Sequence, residues 1–163
     1  MKKSGFSMIE LVFVIVVLGI LAAVALPRLT ATRTDAEYVK ALNDLETLIR
    51  DIQNYYYSKG AENMPTLGRT NKNDIYLDLK QMTNVPLDYT NPAEPDYYIG
   101  SKPCYKVDVV RLDRGGEFAA VVNRDIIAMI LKPSFRDIKP ACEMLRKHQL
   151  FRQYDWNHAV LFK

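Results

Sequence analysis

The fold is decided by the stretch FSMIELVFVIVVLGILAAVAL, residues 6–26, an apolar run that contains one charged residue, Glu10. At a rise of about 1.5 Å per residue, a helix of this length spans about 30 Å, which matches the hydrocarbon core of a bilayer. Lys2 and Lys3 precede the run, and a short cationic N-terminus usually stays in the cytoplasm. The sequence therefore predicts a membrane helix over residues 6–27, followed by an exported domain.

Glu10 is the residue of this run that most needs an explanation. A carboxylate within a bilayer costs roughly 2.5 to 3.5 kcal/mol near the centre and less toward the edge, so it is a functional candidate by default. A secretory signal peptide would fit the cleavage pattern Ala23-Val24-Ala25, but its apolar region usually has only about 7 to 15 residues. A plain N-terminal anchor explains the length of the run. Neither of these alternatives explains Glu10.

The N-terminal motif resembles a known family. The sequence KKSG, then FSMIEL, then VIVVLGILAAVALP is similar to the class III signal peptide and N-terminal helix of type IV pilins. The same pattern is typical of the pseudopilins of type II secretion and DNA-uptake systems. The resemblance covers about the first thirty residues, and beyond them it depends on architecture.

The resemblance implies roles for five residues. A prepilin peptidase would cut after Gly5 on the cytoplasmic face, and Phe6 would become the new N-terminus and be N-methylated. Glu10 would be the carboxylate at the fifth mature position, which guides subunit assembly. Gly19 and Pro27 match the glycine and proline that the family has inside this helix.

The chemistry of the cut gives Glu10 a partner. Cleavage creates an α-amino group on Phe6, and in a helical filament a buried Glu10 can pair with this amine in its own or a neighbouring subunit. Removing one partner of such a pair typically costs about 3 to 5 kcal/mol. Pairing would therefore favour moving the subunit from lipid into the filament core.

The expected localisation follows from the same resemblance. The chain would cross the inner (cytoplasmic) membrane once, with its globular domain in the periplasm, and would later join a pilus or pseudopilus. Its partners would be the prepilin peptidase, other pilin or pseudopilin subunits in a helical homo- or hetero-filament, and the inner-membrane assembly platform.

The predicted domain order is a leader peptide at 1–5, a hydrophobic transmembrane and assembly helix at 6–27, an amphipathic second half at 28–60 and a globular α+β head at 61–163. The expected fold class is α+β and type IV pilin-like, with the long helix packed on a small antiparallel sheet. Pro27 removes a backbone donor and clashes one turn back, so a helix bend or local melting near Ala23 is expected.

Apolar residues past Pro27 recur at alternating steps of four and three, which predicts one helical stripe. The stripe consists of Tyr38, Leu42, Leu45, Ile49, Ile52 and Tyr56. A coiled coil is the alternative, but the pattern lasts fewer than three heptads, which favours packing on a sheet. The helix is expected to end near Gly60, which can take the left-handed conformation.

The head shows strand and helix signals. Alternation over Tyr105–Val109, turn residues at 113–116 and an apolar run at 118–122 predict a hairpin. The run 126–131 fits a strand or a short helix. Weaker signals predict one or two helical turns at 75–82, a helix that starts at Pro140 and a last strand within 158–162.

The two cysteines, Cys104 and Cys142, lie in the part of the chain that we expect to be exported. An even count in such a domain favours a disulfide, which would stabilise the fold by roughly 4 kcal/mol on the chain-entropy model. The pair also resembles the disulfide that holds the C-terminal region of many pilins. Two buried free thiols remain the alternative, because sequence does not show how closely the Cα atoms approach.

Other functions have weaker signals. Removal of the leader lysines lowers the formal net charge from +3 to about +1, too little for a typical nucleic-acid-binding surface. His148 and His158 belong to no recognisable metal-ligand or nucleophile pattern, so we predict no enzyme, cofactor or metal. Oxygen ligands for calcium between Asp88 and Asp96 fit no defined loop. The tyrosines at 55–57 and 97–98 only weakly favour stacking on single-stranded DNA.

Two classes of function remain. The first is a structural subunit of a type IV pilus-like filament or of a secretion or competence pseudopilus. The second is a membrane-anchored exported binding module, or a minor tip pilin, that recognises a secreted substrate, DNA or a surface. Assembly should depend on Gly5 and Glu10, whereas recognition should depend on the loops of the head.

Overall fold

The structure is a computed structural model that describes residues 7–69, 75–112, 126–134, 138–154 and 160–162. Its contacts divide the chain into two units, Met1–Ala36 and Glu37–Lys163. The cleavage site at Gly5 and Phe6, the turn at 113–116, the run at 118–122 and His158 lie outside the described residues.

The longest element is a helix of 52 residues, α1, which runs from Met8 to Lys59. Leu, Ile, Val and Ala dominate its first half, and a membrane-length apolar run of this kind satisfies its backbone groups best as a helix. The helix is uninterrupted across Pro27, so the local melting expected near Ala23 is not found. The bend at Pro27 remains a prediction.

The end of α1 has satisfied carbonyl groups. The Asn63 side chain donates to the Lys59 carbonyl at 2.9 Å, and the Gly60 N–H donates to the Tyr56 carbonyl at 2.8 Å. Gly60 has φ 77° and ψ 160°, so its φ is positive as expected, but its ψ is extended and not that of the left-handed helix. A short 3-10 turn, Ala61–Asn63, follows.

An antiparallel sheet forms the second layer of the head. The described residues supply seven strands, in the spatial order β1-β2-β5-β4-β3, with β6 paired to β5 and β7 paired to β6. The strands are β1 Thr66–Arg69, β2 Ile75–Leu77, β3 Leu87–Asp88, β4 Asp96–Ile99, β5 Lys102–Leu112, β6 Ile126–Pro133 and β7 Val160–Phe162. A 3-10 turn, Leu79–Gln81, follows β2, so a strand and one turn replace the helical turns expected at 75–82.

The strand that pairs with β5 is β6, and the run at 118–122 that the sequence predicts as its partner lies outside the described residues. The pairing runs in continuous register from Tyr105 opposite Pro133 to Leu112 opposite Ile126. The strand predicted over Tyr105–Val109 is longer in the structure, from Lys102 to Leu112, and so ends directly before the predicted turn residues. The ambiguous run 126–131 is a strand, because β6 offers every second side chain to the core.

The second half of α1 packs on one face of this sheet. Of the predicted stripe, Leu45, Ile49 and Ile52 are buried, and its three other members are half-buried against the same core. Ala41 and Leu48 are also fully buried, although the predicted stripe left them out. The buried face of α1 is therefore wider than a stripe with steps of three and four. The sheet side of this core consists of Leu77, Tyr97, Ile99, Cys104, Tyr105, Val107, Val109, Ile127, Met129 and Leu131.

Two short helices complete the head. The helix α2, Pro140–Lys147, starts with proline in its first turn, as the sequence predicts, and α3, Gln149–Gln153, follows it. Their buried residues Leu145 and Phe151 join the core, and the Leu131 N–H donates to the Tyr154 carbonyl at 2.5 Å. The fold is thus α+β, with a long N-terminal helix packed on a small antiparallel sheet.

Candidate functional site

The first half of α1 is an exposed apolar surface. Large apolar side chains from Met8 to Val24 lie in the open, including Ile9 at 76%, Phe13 at 69% and Ile20 at 64% exposure. Monomeric soluble proteins rarely expose apolar patches of this size, so such a surface needs lipid or protein to cover it. Among the described residues, α1 is the helix that is long and apolar enough to cross a membrane.

The helix start is fixed by a capping box that contains Glu10. The Ser7 N–H donates to the Glu10 Oε2 at 2.8 Å, and the Ile9 N–H donates to the Ser7 Oγ at 3.4 Å. The N–H groups of Glu10 and Leu11 both donate to the Ser7 carbonyl, at 3.1 and 3.2 Å. This reciprocal pattern satisfies donors that would otherwise be unpaired at a helix N-terminus.

The capping box gives Glu10 a partner within its own chain. A carboxylate in the first turn also interacts favourably with the helix dipole, by about 0.3 to 1 kcal/mol at an exposed site. This role was not predicted from the sequence. The signal for a capping box is nevertheless present, because Ser7 lies three residues before Glu10 and an apolar run follows. The carboxylate is therefore already hydrogen-bonded in an isolated chain.

Gly19 lies within the exposed apolar half of α1. A Cβ atom placed there would meet nothing within 4 Å, so packing within the chain does not require a glycine. Small residues let helix backbones approach each other closely in membranes. Gly19 thus leaves room for a neighbouring helix.

Cys104 and Cys142 form a disulfide bond, with their Cα atoms 5.6 Å apart. Both residues are buried, and the bond ties α2 to the sheet at β5. Arg146 strengthens this junction, because its Nη2 donates to the carbonyls of Cys104, at 2.8 Å, and Ser134. Burial lowers the pKa of the Arg146 guanidinium from its ordinary value. One covalent and two charge-assisted contacts therefore hold α2 at this junction.

The acidic region from Asp88 to Asp96 is satisfied by local groups and lysines. Asp88 Oδ1 accepts from the Thr90 N–H at 3.0 Å and from its hydroxyl at 2.7 Å, and these bonds lower the pKa of Asp88. Glu94 pairs with Lys132, which also lies 2.8 Å from Asp108. The described residues contain no group of three or more His, Cys, Asp or Glu side chains that could hold a metal ion.

The tyrosines considered for nucleic-acid stacking do not form one surface. Tyr97 is 2% exposed, donates its hydroxyl to Asp44 at 2.5 Å and stacks on Tyr105 with ring centroids 4.9 Å apart. Tyr98, the neighbour of Tyr97, is partly exposed. The tyrosines at 55–57 lie about 17 to 20 Å further along α1 than Asp44, the residue that Tyr97 contacts. Tyr97 therefore serves core packing.

His148 has a local structural role. Its Nδ1 accepts from the Leu150 N–H at 3.3 Å, which caps α3, and its ring meets the ring of Tyr38 edge-on with centroids 6.5 Å apart. These contacts explain the residue without a catalytic function.

Comparison with known proteins supports the N-terminal interpretation. Residues 1–26 match the family model of the prokaryotic N-terminal methylation motif. The chain is 37% identical over 54 residues to the type II secretion system core protein G of Aeromonas hydrophila. These 54 residues are 33% of this chain and 38% of the relative. It is 31% identical over 77 residues to the protein of the same name from Escherichia coli K12, covering 40% of this chain and 53% of the relative.

These matches leave much of each protein uncompared. The chain spans about half, or less, of the length of the curated relatives that it matches. No solved structure gives a significant match. The comparisons thus establish the N-terminal methylation motif and a similarity to type II secretion pseudopilins, and the head is described by its own geometry.

Proposed function

We propose that this protein is a structural subunit of a pilus-like filament or pseudopilus, held in the inner membrane by α1 before assembly. The observation that carries the proposal is the exposed apolar half of α1, with one carboxylate, Glu10, in its first turn. Lipid would cover this surface before assembly, and the same helices of neighbouring subunits would cover it in the filament. Other subunits and an inner-membrane assembly platform are therefore the expected partners.

Processing would occur at the N-terminus. A prepilin peptidase would cut between Gly5 and Phe6, and Phe6 would then be N-methylated. The motif match over residues 1–26 supports this step, and so does the start of α1 at Met8, just after the proposed cut. The leader would be removed while the apolar helix stays intact as an anchor.

Glu10 would guide assembly by exchanging partners. Its Oε2 lies 2.8 Å from the Ser7 nitrogen, and the amine that cleavage creates on Phe6 belongs to the preceding residue. The carboxylate could therefore accept from an amine of its own chain or of a neighbour with little movement. A charged amine is a stronger partner than a neutral amide, so the exchange favours the buried, assembled state.

The domain organisation follows the same plan. The leader would be 1–5, the membrane and assembly helix 6–27, the amphipathic half 28–60 and the periplasmic head 61–163, with a bend at Pro27. The disulfide between Cys104 and Cys142 suits an oxidising compartment outside the cytoplasm.

The proposal is tested with Glu10→Ala and Glu10→Gln in cells that contain the assembly machinery. Both variants should insert in the membrane, but filament yield should fall at least tenfold, because loss of one partner of a buried pair costs about 3 to 5 kcal/mol. The glutamine variant keeps an acceptor for the Ser7 N–H, so its failure would identify the charge as the essential property.

Glu46→Ala is the matched control, because Glu46 is an exposed carboxylate on the head half of α1. Its filament yield should equal that of the wild type. Normal filament yield from Glu10→Ala would contradict the proposed role of Glu10 in assembly.

A further inference from the structure

Three carboxylates of α1 form a row of contacts with the head. They are Glu37, Asp44 and Asp51, and we call them the acid ladder. Glu37 accepts from the Lys139 Nζ at 3.0 and 3.1 Å, Asp44 accepts from the Tyr97 hydroxyl at 2.5 Å, and Asp51 accepts from the Thr83 hydroxyl at 2.6 Å.

The spacing of the acid ladder keeps it on one side of the helix. Its members are seven residues apart, which is about 10.5 Å along the axis, with a drift of only about 20° per step. The donors come from three separate parts of the head. Lys139 precedes α2, Tyr97 lies in β4 and Thr83 follows the 3-10 turn Leu79–Gln81. The row therefore follows α1 over about 21 Å.

Two of the three donors are buried. Tyr97 is 2% exposed and Thr83 is 9% exposed, so neither hydroxyl can exchange Asp44 or Asp51 freely for water. Burial, with the hydrogen bond and charge of Asp44, raises the pKa of Tyr97 well above its ordinary value, so its phenol stays protonated and donates. Each of these two buried hydroxyl groups therefore needs an acceptor on α1, and the acceptor must lie directly opposite it.

Apolar packing by itself does not exclude every one-turn slide of α1 on the sheet. The buried apolar residues of this helix face are Ala41, Leu45, Leu48, Ile49 and Ile52. A slide by four residues in one direction would put Leu45, Ile49, Ile52, Gln53 and Tyr56 at their positions, so four of the five would stay apolar. Each of the other slides would bring Asp44 or Glu46 to one of these buried positions. One-turn slides of about 5.4 Å are a known type of movement between packed elements.

The acid ladder distinguishes the observed position of α1 from every position that a one-turn slide would give. A slide by four residues in one direction would bring Ala41, Leu48 and Tyr55 opposite the donors, and one by three residues would bring Lys40, Thr47 and Asn54. In the other direction the corresponding residues are Arg33, Lys40 and Thr47, or Thr34, Ala41 and Leu48. None of these is a carboxylate, so every one-turn slide removes all three carboxylate contacts at once.

We propose that the acid ladder locks the axial register of α1 on the head against a one-turn slide. Glu37, Asp44 and Asp51 act as positioning residues, and they set how many residues of the helix lie beyond the sheet. The lock operates within one chain. It therefore goes beyond the proposed function and does not depend on filament assembly.

The register can be measured as a distance between spin labels on the full chain in detergent micelles. Suitable exposed sites are Asn54→Cys in α1 and Lys147→Cys in α2. The neighbour of Lys147, His148, contacts Tyr38, so the vector between the labels runs largely along the helix, over about 24 Å. The native cysteines are joined in the disulfide and take up no label under non-reducing conditions.

The labelled wild type should show one distance. Replacing the whole ladder with alanine, in Glu37→Ala/Asp44→Ala/Asp51→Ala, should add a population displaced by about 5 Å. Restoring Asp44 alone should reduce this population. The matched control is Asp35→Ala/Glu46→Ala/Glu62→Ala, which removes the same charge from exposed positions and should keep one distance.

A single, unshifted distance in the ladder variant would overturn the proposal, even if that variant were less stable. If the triple variant does not fold, the double variants Glu37→Ala/Asp44→Ala and Asp44→Ala/Asp51→Ala keep one contact each. A displaced population in either double variant supports the lock, and its absence from both contradicts it.

Discussion

At the scale of single residues, Glu10 combines a proposed role in assembly with an observed role at the helix start. The charge of Glu10 within an apolar run led to the proposed role, whereas its part in the capping box with Ser7 became evident only from the structure. The serine and glutamate spacing was visible, but it was interpreted through the cleavage motif alone. The burial of Ala41 and Leu48 was missed because the width of a helix face depends on the curvature of the surface beneath it.

Lys132 is the residue for which the structure predicts a pH dependence. Burial opposes its charge, but the hydrogen bonds and charges of Asp108 and Glu94 raise its pKa to about 12. Because the folded value lies above the ordinary value of 10.5, this stabilisation is complete below about pH 10.5 and is lost as the pH rises through about 12.

Lys132→Met should therefore lower the free energy of unfolding by about 1 to 3 kcal/mol at pH 7, because Asp108 would lose a charged partner. Denaturant titrations at pH 7 and near pH 12 measure the effect, and the difference between variant and wild type should shrink at the higher pH. The exposed Lys80→Met is the control and should change little. A difference that stays constant with pH would contradict the assignment.

At the scale of elements, the sequence predicted those with a clear period. The long helix, its packed face, the proline-initiated α2 and the strand at Tyr105–Val109 all follow from periodicity and capping. The pairing of β5 with β6 was not predicted, because a glycine-rich turn signal does not show which later apolar run pairs with the strand. The ambiguity over 126–131 was resolved by pairing with β5, which is a long-range interaction.

Leu48 tests the packing of α1 on the sheet. It is fully buried, so Leu48→Ala should lower the free energy of unfolding of the head by about 2 to 5 kcal/mol. Val39 lies on the same helix and is 51% exposed, so Val39→Ala should cost much less. Chemical denaturation of both variants in micelles gives the comparison, and equal losses would show that this helix face does not pack as described.

The disulfide tests how the C-terminal helices are held. Cys104 and Cys142 are 38 residues apart, and a cross-link of this separation stabilises by about 4 kcal/mol on the chain-entropy model. Cys104→Ser/Cys142→Ser should show a loss of this order in denaturant titrations, and reduced wild type should behave similarly. A loss below about 1 kcal/mol would mean that the core and Arg146 suffice without the bond.

At the scale of the whole molecule, one long N-terminal helix and one α+β head account for the part of the chain that the structure describes. The N-terminal motif could be predicted in detail, because the length of its apolar run and its single carboxylate are both read from one continuous stretch of sequence. The strand pairing of the head could not, because it depends on contacts between distant residues.

We propose that the chain is processed after Gly5 and enters a filament through its N-terminal helix. Intact-mass and N-terminal analysis of the protein recovered from sheared filament fractions tests both steps. We expect a chain that begins at N-methylated Phe6 and retains α1. Recovery of a chain that begins at Met1 or near Leu26, or its absence from the filament fraction, would contradict the account.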